Sequence, residues 1–596
     1  MDGGPSVEPG FLGVERSVAG RRWRARSGDM RAAAAISERY GLPEIVGRML
    51  AQRGIGPDAA LGFLAPRLRD QLPDPSHLVD LDRAVARIVA AITGGERVVV
   101  FGDYDVDGAT SAALLHRFFT AVGAAIGIYV PDRMREGYGP NAPALARLKA
   151  EGASLVVTVD CGTTAHEALA AAAGSGLDVI VIDHHVAEPL LPRAFAIVNP
   201  NRLDETSPHG NLAAVGLVFL LVVALNRALR AAGWYAARAE PDLLQWLDLV
   251  ALGTVCDVVP LNGLNRALAA QGIRVARAGG NPGMAALAAV AALGGPIDAY
   301  QLGFGIGPRV NAGGRVGAAD LGARLLSTDD PDLAAELAQR LDAHNRERRE
   351  MEAAALEQAI AQVEESPQSP AMVFVAGEGW HPGVIGIVAA RLKDRYNRPA
   401  CVVALDGAVG KGSGRSVPGI ALGPAVIAAR QEGLLLNGGG HAMAAGFTVA
   451  ADRVEDLREF LASRLGDGLD VAGLVPELSI DGALSAAAAQ ARLIEHIDAL
   501  APFGSANPEP RFAFPSTRIA DAQPVGANHL RVTLADPLGA GQLRGIAFRV
   551  GDTPLGRFLT EMRGRAVHVV GHLRRDTWRG GDAVQLQLDD AAPVES

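Results

Sequence analysis

"RVVVFGDYDVDG" (residues 97–108) decides the fold. A continuous run of β-branched residues ends abruptly in a glycine and a series of acids. A half-exposed strand would alternate apolar and polar residues, whereas an unbroken apolar run fits a strand covered on both faces, as in a parallel sheet. The same pattern returns in "IGIYV" (126–130), "SLVVTV" (154–159) and "DVIVI" (178–182). Ala- and Leu-rich segments at 108–122 and 164–174 lie between these runs at the spacing of helical crossovers. The predicted class is α/β, with helices on a parallel sheet.

The acids carry the chemistry. Asp103, Asp105 and Asp107 are two residues apart, so an extended chain would point all three to one side. Carboxylates that close repel one another and need water, a cation or basic neighbours. Alone, this turn reads equally well as a solvated acidic loop, and the ligand series of a calcium loop does not follow it. Recurrence changes the balance. "SLVVTVD" ends in Asp160, "DVIVID" ends in Asp183 followed by His184 and His185, and the apolar segment "WLDLVALGTVCDVVPL" (246–261) delivers Asp257. Open parallel sheets bind ligands beyond the carboxyl ends of their strands, so these endings converge on one crevice. A single Asp there would cap a helix and a single His would form a hydrogen bond. Several carboxylates with a histidine instead favour a hard cation that tolerates imidazole, Mn²⁺ or Mg²⁺. Two such ions about 3.5–4 Å apart would hold an attacking water and a leaving oxygen in line. Ligation needs neutral imidazole, so activity is expected to fall below about pH 6.5.

At 596 residues the chain exceeds one hydrophobic core, and roughly three to five domains are expected. A net charge of −10 argues against a uniform coat of nucleic acid but leaves room for a local basic groove. The three cysteines, Cys161, Cys256 and Cys401, lie far apart with no C-x-x-C pair, which fits a reducing, cytoplasmic setting. No apolar leader is evident, and "GLVFLLVVAL" (216–225) is half the length of a membrane span, so a soluble protein is expected.

Asp330 as N-cap and Pro331 at the first helical position open a helix of about thirty residues, roughly 45 Å long and able to join two domains. Its middle, "HNRERRE" (344–350), is too polar for burial all round. A second mixed segment runs from 371 to about 465. Beyond it, "NHLRVTLAD", "LRGIAFRVG", "AVHVVGHL" and "AVQLQLDD" alternate between turns, as in a small antiparallel barrel.

"VVVFGDYDVDGAT", "VTVDCGTT", "VIDHH" and "ALGTVCDVVPL" resemble the four ordered motifs of the DHH phosphoesterase superfamily. "FGIGPRVNAGGRVGAADL" (304–321), "GWHPGVIGIVAARL" (379–392), "GSGRS" (412–416), "NGGGHAMAAGF" (437–447) and "LAPFGSANPEPRF" (500–512) extend the likeness over roughly residues 12–590, to the branch that degrades single-stranded DNA from the 5′ end. The resemblance implies an N-terminal segment packing on the core (1–75), a DHH domain (76–325), an interdomain helix (326–367), a DHH-associated domain (368–466) and an OB-fold-like domain (467–596). It implies Asp105, Asp107, Asp160, His184 and Asp257 as metal ligands, with Asp107 and Asp160 as candidate bridges between two Mn²⁺ or Mg²⁺ ions. His185 would lie at the scissile phosphate, Asp183 would support the histidines, and Asp103 would ligate or shape the loop. Some relatives that hydrolyse small phosphoesters carry a histidine where this chain has Phe101. Arg309, Asn311, Arg315, Ser413, Arg415, Ser416, Gly439, Gly440 and His441 become candidate substrate contacts. Phe503, Phe512, Phe514, Phe548 and Trp578 are the barrel's aromatics, expected mostly in its core. The implied activity is 5′→3′ hydrolysis of single-stranded DNA to nucleotides in recombination and repair, by a monomer. Single-stranded-DNA-binding protein and a helicase are the implied partners. The alternatives are a phosphodiesterase for short oligonucleotides or small phosphoesters and a non-catalytic DNA-binding scaffold.

Overall fold

The structure is a computed structural model describing residues 9–133, 135–365, 371–466, 475–537, 539, 541–576 and 582–594. Five parallel strands form the first sheet, in the spatial order Ile126–Tyr129, Val98–Gly102, Leu155–Val159, Asp178–Ile182, Ala196–Val198. Val98 and Val100 enter the apolar core on one face, while Val99 and Phe101 enter a second core on the other. This double burial is why the run is apolar throughout. The strand order reverses between Val98–Gly102 and Leu155–Val159, which opens a crevice at their carboxyl ends.

Helix Ala214–Ala231 is apolar and long enough to cross a membrane by composition, with mean hydropathy 1.8, yet 72% of it is buried within the protein. Helix Pro331–Glu365 spans 35 residues, with the Asp330 carboxylate accepting from the amides of Asp332 (2.9 Å) and Leu333 (3.3 Å). It packs against helices Pro282–Val290 and Gly307–Val316, then against helix Ile385–Tyr396 and strand Val373–Glu378. Its polar middle is partly internal: Asn345 and Arg348 are buried, with Arg348 bonded to Asn345 and Glu352. The following sheet is mixed, in the order Asn437–His441, Ala444–Ala450, Val409–Arg415, Ala400–Asp406, Val373–Glu378.

The C-terminal strands close into a barrel. Phe512–Val525, His529–Ala535, Gln542–Ala547, Val584–Pro593 and Ala566–Arg575 are neighbours in that spatial order, and the last returns to the first. Phe512 and Phe514 are in its core, as expected, but Phe548 is half exposed against the His529 ring; Trp578 lies outside the described residues. Much of the N-terminal segment packs on the barrel. Ile36, Val46, Met49, Leu50 and Phe63 share the barrel's core, and strand Arg22–Ala25 pairs in parallel with Glu477–Ile480. The described residues of Met1–Pro66 and Asp470–Ser596 thus form one compact unit, and those of Arg67–Leu469 another. The barrel covers the apolar faces of the N-terminal helices.

Candidate metal centre and substrate cleft

Register places the acids. Gly102 is paired with Val159, and Val159 with Ile182, so three adjacent strands end at one level. The next residues, Asp103, Asp160 and Asp183, still donate backbone hydrogen bonds to Val159, Ile182 and Val198. Asp160 holds a left-handed backbone (φ 62°), a strained conformation that asparagine and aspartate tolerate best.

The chain does not stay extended through Asp103–Asp107. Asp105 caps helix Val106–Ala121 by accepting from the Gly108 amide (3.1 Å), and Asp107 lies in its first turn. The turn therefore divides the acids between two groups. Ligand atoms of Asp103, Asp105 and Asp160 lie within 4.8 Å of one another, as do those of Asp107, His184 and Asp257, and those of Asp160, His184 and His185. Asp257 comes from the C-terminus of a helix, Leu247–Cys256, and not from another strand. His184 Nε2 is 3.2 Å from Asp160 Oδ1, 3.7 Å from Asp257 Oδ2 and 3.9 Å from Asp107 Oδ2. Asp160 and His184 recur in two groups; Asp107, expected as a bridge, falls in one.

Supporting bonds hold these side chains. Asp107 accepts from the amides of Ala214 (2.6 Å) and Val215 (2.8 Å), the first turn of the apolar core helix. Asp183 accepts from the Thr163 amide, the amides of His184 and His185, and His185 Nδ1 at 2.8 Å. Asn199 and Asn201 donate to the carbonyls of His185 (2.8 Å) and His184 (2.6 Å). Half-exposed Tyr138 donates to the Asp160 carbonyl (3.1 Å) and meets His185 edge-on.

The electrostatics call for a cation. Burial, then the charge of Asp105, pushes the Asp103 carboxyl to about 8 and that of Asp257 to about 7. Burial and neighbouring carboxylates raise Asp107 and Asp160 well above the usual range. Burial also lowers His184, so its imidazole is neutral and able to ligate. Burial opposes a charged His185, but its bond to Asp183 outweighs this and raises it to about 9. Burial likewise opposes the Asp183 carboxylate, which the His185 bond nonetheless holds well below its ordinary range. Among the described residues, Asp103 Oδ1, His184 Nε2 and Asp257 Oδ2 are buried without a hydrogen-bond partner. Unsatisfied buried donors and acceptors are costly, and a divalent cation would satisfy all three.

A cleft of about 390 Å³ is lined by Arg133, Arg315, Lys411, Ser413, Arg415 and Gly439, among others. Burial first, then Arg133, lowers the Arg315 guanidinium to about 10, and the same causes lower Arg415. Gly386 leaves space for this convergence, since a Cβ there would lie 3.1 Å from both Arg415 Nη2 and Ser413 Oγ. Other expected contacts are engaged elsewhere. Arg309 pairs with Asp342 (2.9 Å), and buried Ser416 donates to the Ile420 carbonyl (2.7 Å). Asn311 is half-buried outside the cleft lining, and Gly440 and His441 are exposed on their hairpin. Sequence reasoning missed Arg133, although "PDRMREGYGP" follows the end of a sheet strand, and Tyr138, Asn199 and Asn201, which act through backbone atoms.

The DHH family N-terminal domain matches residues 97–254, the DHHA1 domain 352–467 and the RecJ OB domain 480–590. The single-stranded-DNA-specific exonuclease RecJ of Dickeya dadantii (strain 3937) is 39% identical over 566 residues, covering 93% of this chain and 96% of that protein. The chain belongs to the RecJ family. The crystal structure of RecJ in complex with Mn²⁺ from Thermus thermophilus matches with a TM-score of 0.80 at 30% identity, covering 96% of this chain and 80% of that one. The Mg²⁺ complex of the same RecJ matches with a TM-score of 0.75 at 29% identity over 96% and 79%. The orphaned atoms described above would suit a divalent cation of the kind bound in those two structures.

Proposed function

We propose that this protein is a metal-dependent, single-strand-specific DNA exonuclease that takes its substrate by the 5′ end and releases nucleotides. One observation carries this reading: two separate groups of metal-ligating atoms, Asp103/Asp105/Asp160 and Asp107/His184/Asp257, adjoin where His184 Nε2 lies 3.2 Å from Asp160 Oδ1, so two cations could be held side by side. Asp103, Asp105 and Asp160 would hold one ion and Asp107, His184 and Asp257 the other. When bound, such ions polarise a phosphodiester and lower the pKa of water.

The remaining work belongs to the chain. Asp183 occupies His185 Nδ1 and keeps the imidazole protonated, leaving Nε2 to donate to the scissile phosphate. Arg133, Arg315 and Arg415, with Ser413, make a basic site in a chain of net charge −10, suited to the terminal 5′ phosphate. A site that grips a terminus favours cleavage from that end. The barrel is a platform for the unpaired strand. The three described cysteines are all free, which supports a reducing, cytoplasmic location. Action as a monomer in recombination and repair, beside single-stranded-DNA-binding protein and a helicase, completes the proposal.

The test uses one long single strand labelled at either end, with purified protein and Mn²⁺. Early release of the 5′ label as mononucleotide, with the 3′ label retained on shortening strands, is expected. Arg415→Ala should erase the preference for 5′-phosphorylated over 5′-hydroxyl ends. Cleavage confined to oligonucleotides of a few residues would replace this reading with a small-substrate phosphodiesterase.

A further inference from the structure

Beside the metal centre lies an apolar surface that neither the ligands nor the basic cleft uses. Tyr300 and Phe304 are 64% and 71% exposed, with ring centroids 4.9 Å apart and planes tilted by 32°. Tyr300 precedes and Phe304 lies within a six-residue π-helical stretch, Gln301–Ile306, a geometry that is rare and frequent at functional sites. This stretch sits directly on the turn that delivers Asp257. Cys256 Sγ is 3.6 Å from the Leu302 carbonyl, and a Cβ at Gly303 would lie 3.5 Å from Val255 Cγ1. Val258, next after Asp257, is 68% exposed and held in a left-handed backbone (φ 61°), which β-branched residues rarely adopt.

We propose that Tyr300, Phe304 and Val258 form a shelf on which an unpaired nucleobase of the substrate strand stacks while its phosphate lies at the metal centre. The inference rests on the exonuclease reading and deepens it. Exposed rings offer their faces to any base without regard to sequence. A paired base presents no free face, so the shelf would also discriminate against duplex. Continuity with Asp257 argues for substrate here over a protein partner.

Steady-state kinetics of the full-length protein with Mn²⁺ test this on an intact single strand and on a strand of the same length made wholly of abasic sites. Phe304→Ala should raise KM for the intact strand at least about fivefold, the lower end of the loss of one stacked base. Its KM for the abasic strand should equal that of the unaltered protein. Phe304→Trp should retain the original KM on the intact strand, which separates loss of stacking from loss of fold. An unchanged KM in Phe304→Ala, or an equal loss on both strands, would overturn the shelf while leaving the exonuclease reading intact. Failure of the unaltered protein to degrade the intact strand would overturn that reading itself.

Discussion

Asp183 contacts no proposed substrate atom, yet its carboxylate accepts from the amides of Thr163, His184 and His185 and from His185 Nδ1. An amide of the same shape has one accepting oxygen and would turn its NH₂ toward some of these donors. Asp183→Asn is expected to lower kcat about 10–100-fold and to weaken Mn²⁺ binding, the usual cost of losing such a partner. Steady-state kinetics with Mn²⁺ titration, alongside circular dichroism to verify the fold, measure it; unchanged kcat would remove Asp183 from its positioning role. At this scale the centre was legible because its acids directly follow buried apolar strands. The internal bonds of Arg309 and Ser416 were not legible, because the residue types that bind phosphate also serve such bonds and only packing distinguishes the two uses. Asn199 and Asn201 were invisible because their partners are backbone carbonyls brought close by the fold.

Helix Leu247–Cys256 crosses helix Val106–Ala121 at Gly253, where a Cβ would lie 2.4 Å from Thr110 Oγ1, 2.7 Å from Val215 Cγ1 and 3.0 Å from Asp107 Oδ1. Gly253→Ala should therefore destabilise by roughly 1–3 kcal/mol and weaken metal binding, since the helix carrying Asp257 must move. Gly62→Ala, in a helix with open space around it, should be neutral or slightly stabilising. Thermal unfolding of both variants checks the contrast. In the barrel unit, Arg53 donates to Asn507 Oδ1, the Met49 carbonyl and the Pro508 carbonyl, each at 2.7 Å, and pairs with buried Asp481. Arg53→Met should cost about 3 kcal/mol, read as an earlier unfolding step, because it strands internal acceptors. The parallel sheet was legible in its apolar runs, and the linking helix in its cap. The segment bearing Asp257 was not, since a buried apolar run has no period that separates strand from helix. The acidic turn misled for another reason: Asp105 can continue a strand or cap a helix, and here it caps.

For the whole molecule, the crowded carboxylates tie stability to pH and metal. In the metal-free protein Asp103 and Asp257 titrate near 8 and 7, whereas unfolded they would titrate near 4. Between about pH 4 and pH 8 the native state therefore binds more protons than the unfolded state, so these groups lower stability as pH rises. Metal-stripped protein should melt at a lower temperature at pH 8 than at pH 6, with stabilisation by Mn²⁺ growing over the same interval. Calorimetry in two buffers of different ionisation enthalpy should show protons released on Mn²⁺ binding; uptake would contradict the assignment. The division of the chain has a different consequence, one for synthesis. Arg24 meets Glu477 across a sequence separation of 453 residues, and Trp23, Ile36 and Met49 are buried in the finished unit. At ribosomal speeds of about 5–20 residues per second, these apolar side chains wait tens of seconds for the strands that will cover them. During that wait the catalytic unit can complete its own core, while the apolar faces of the nascent N-terminal helices lack the strands that cover them in the finished unit.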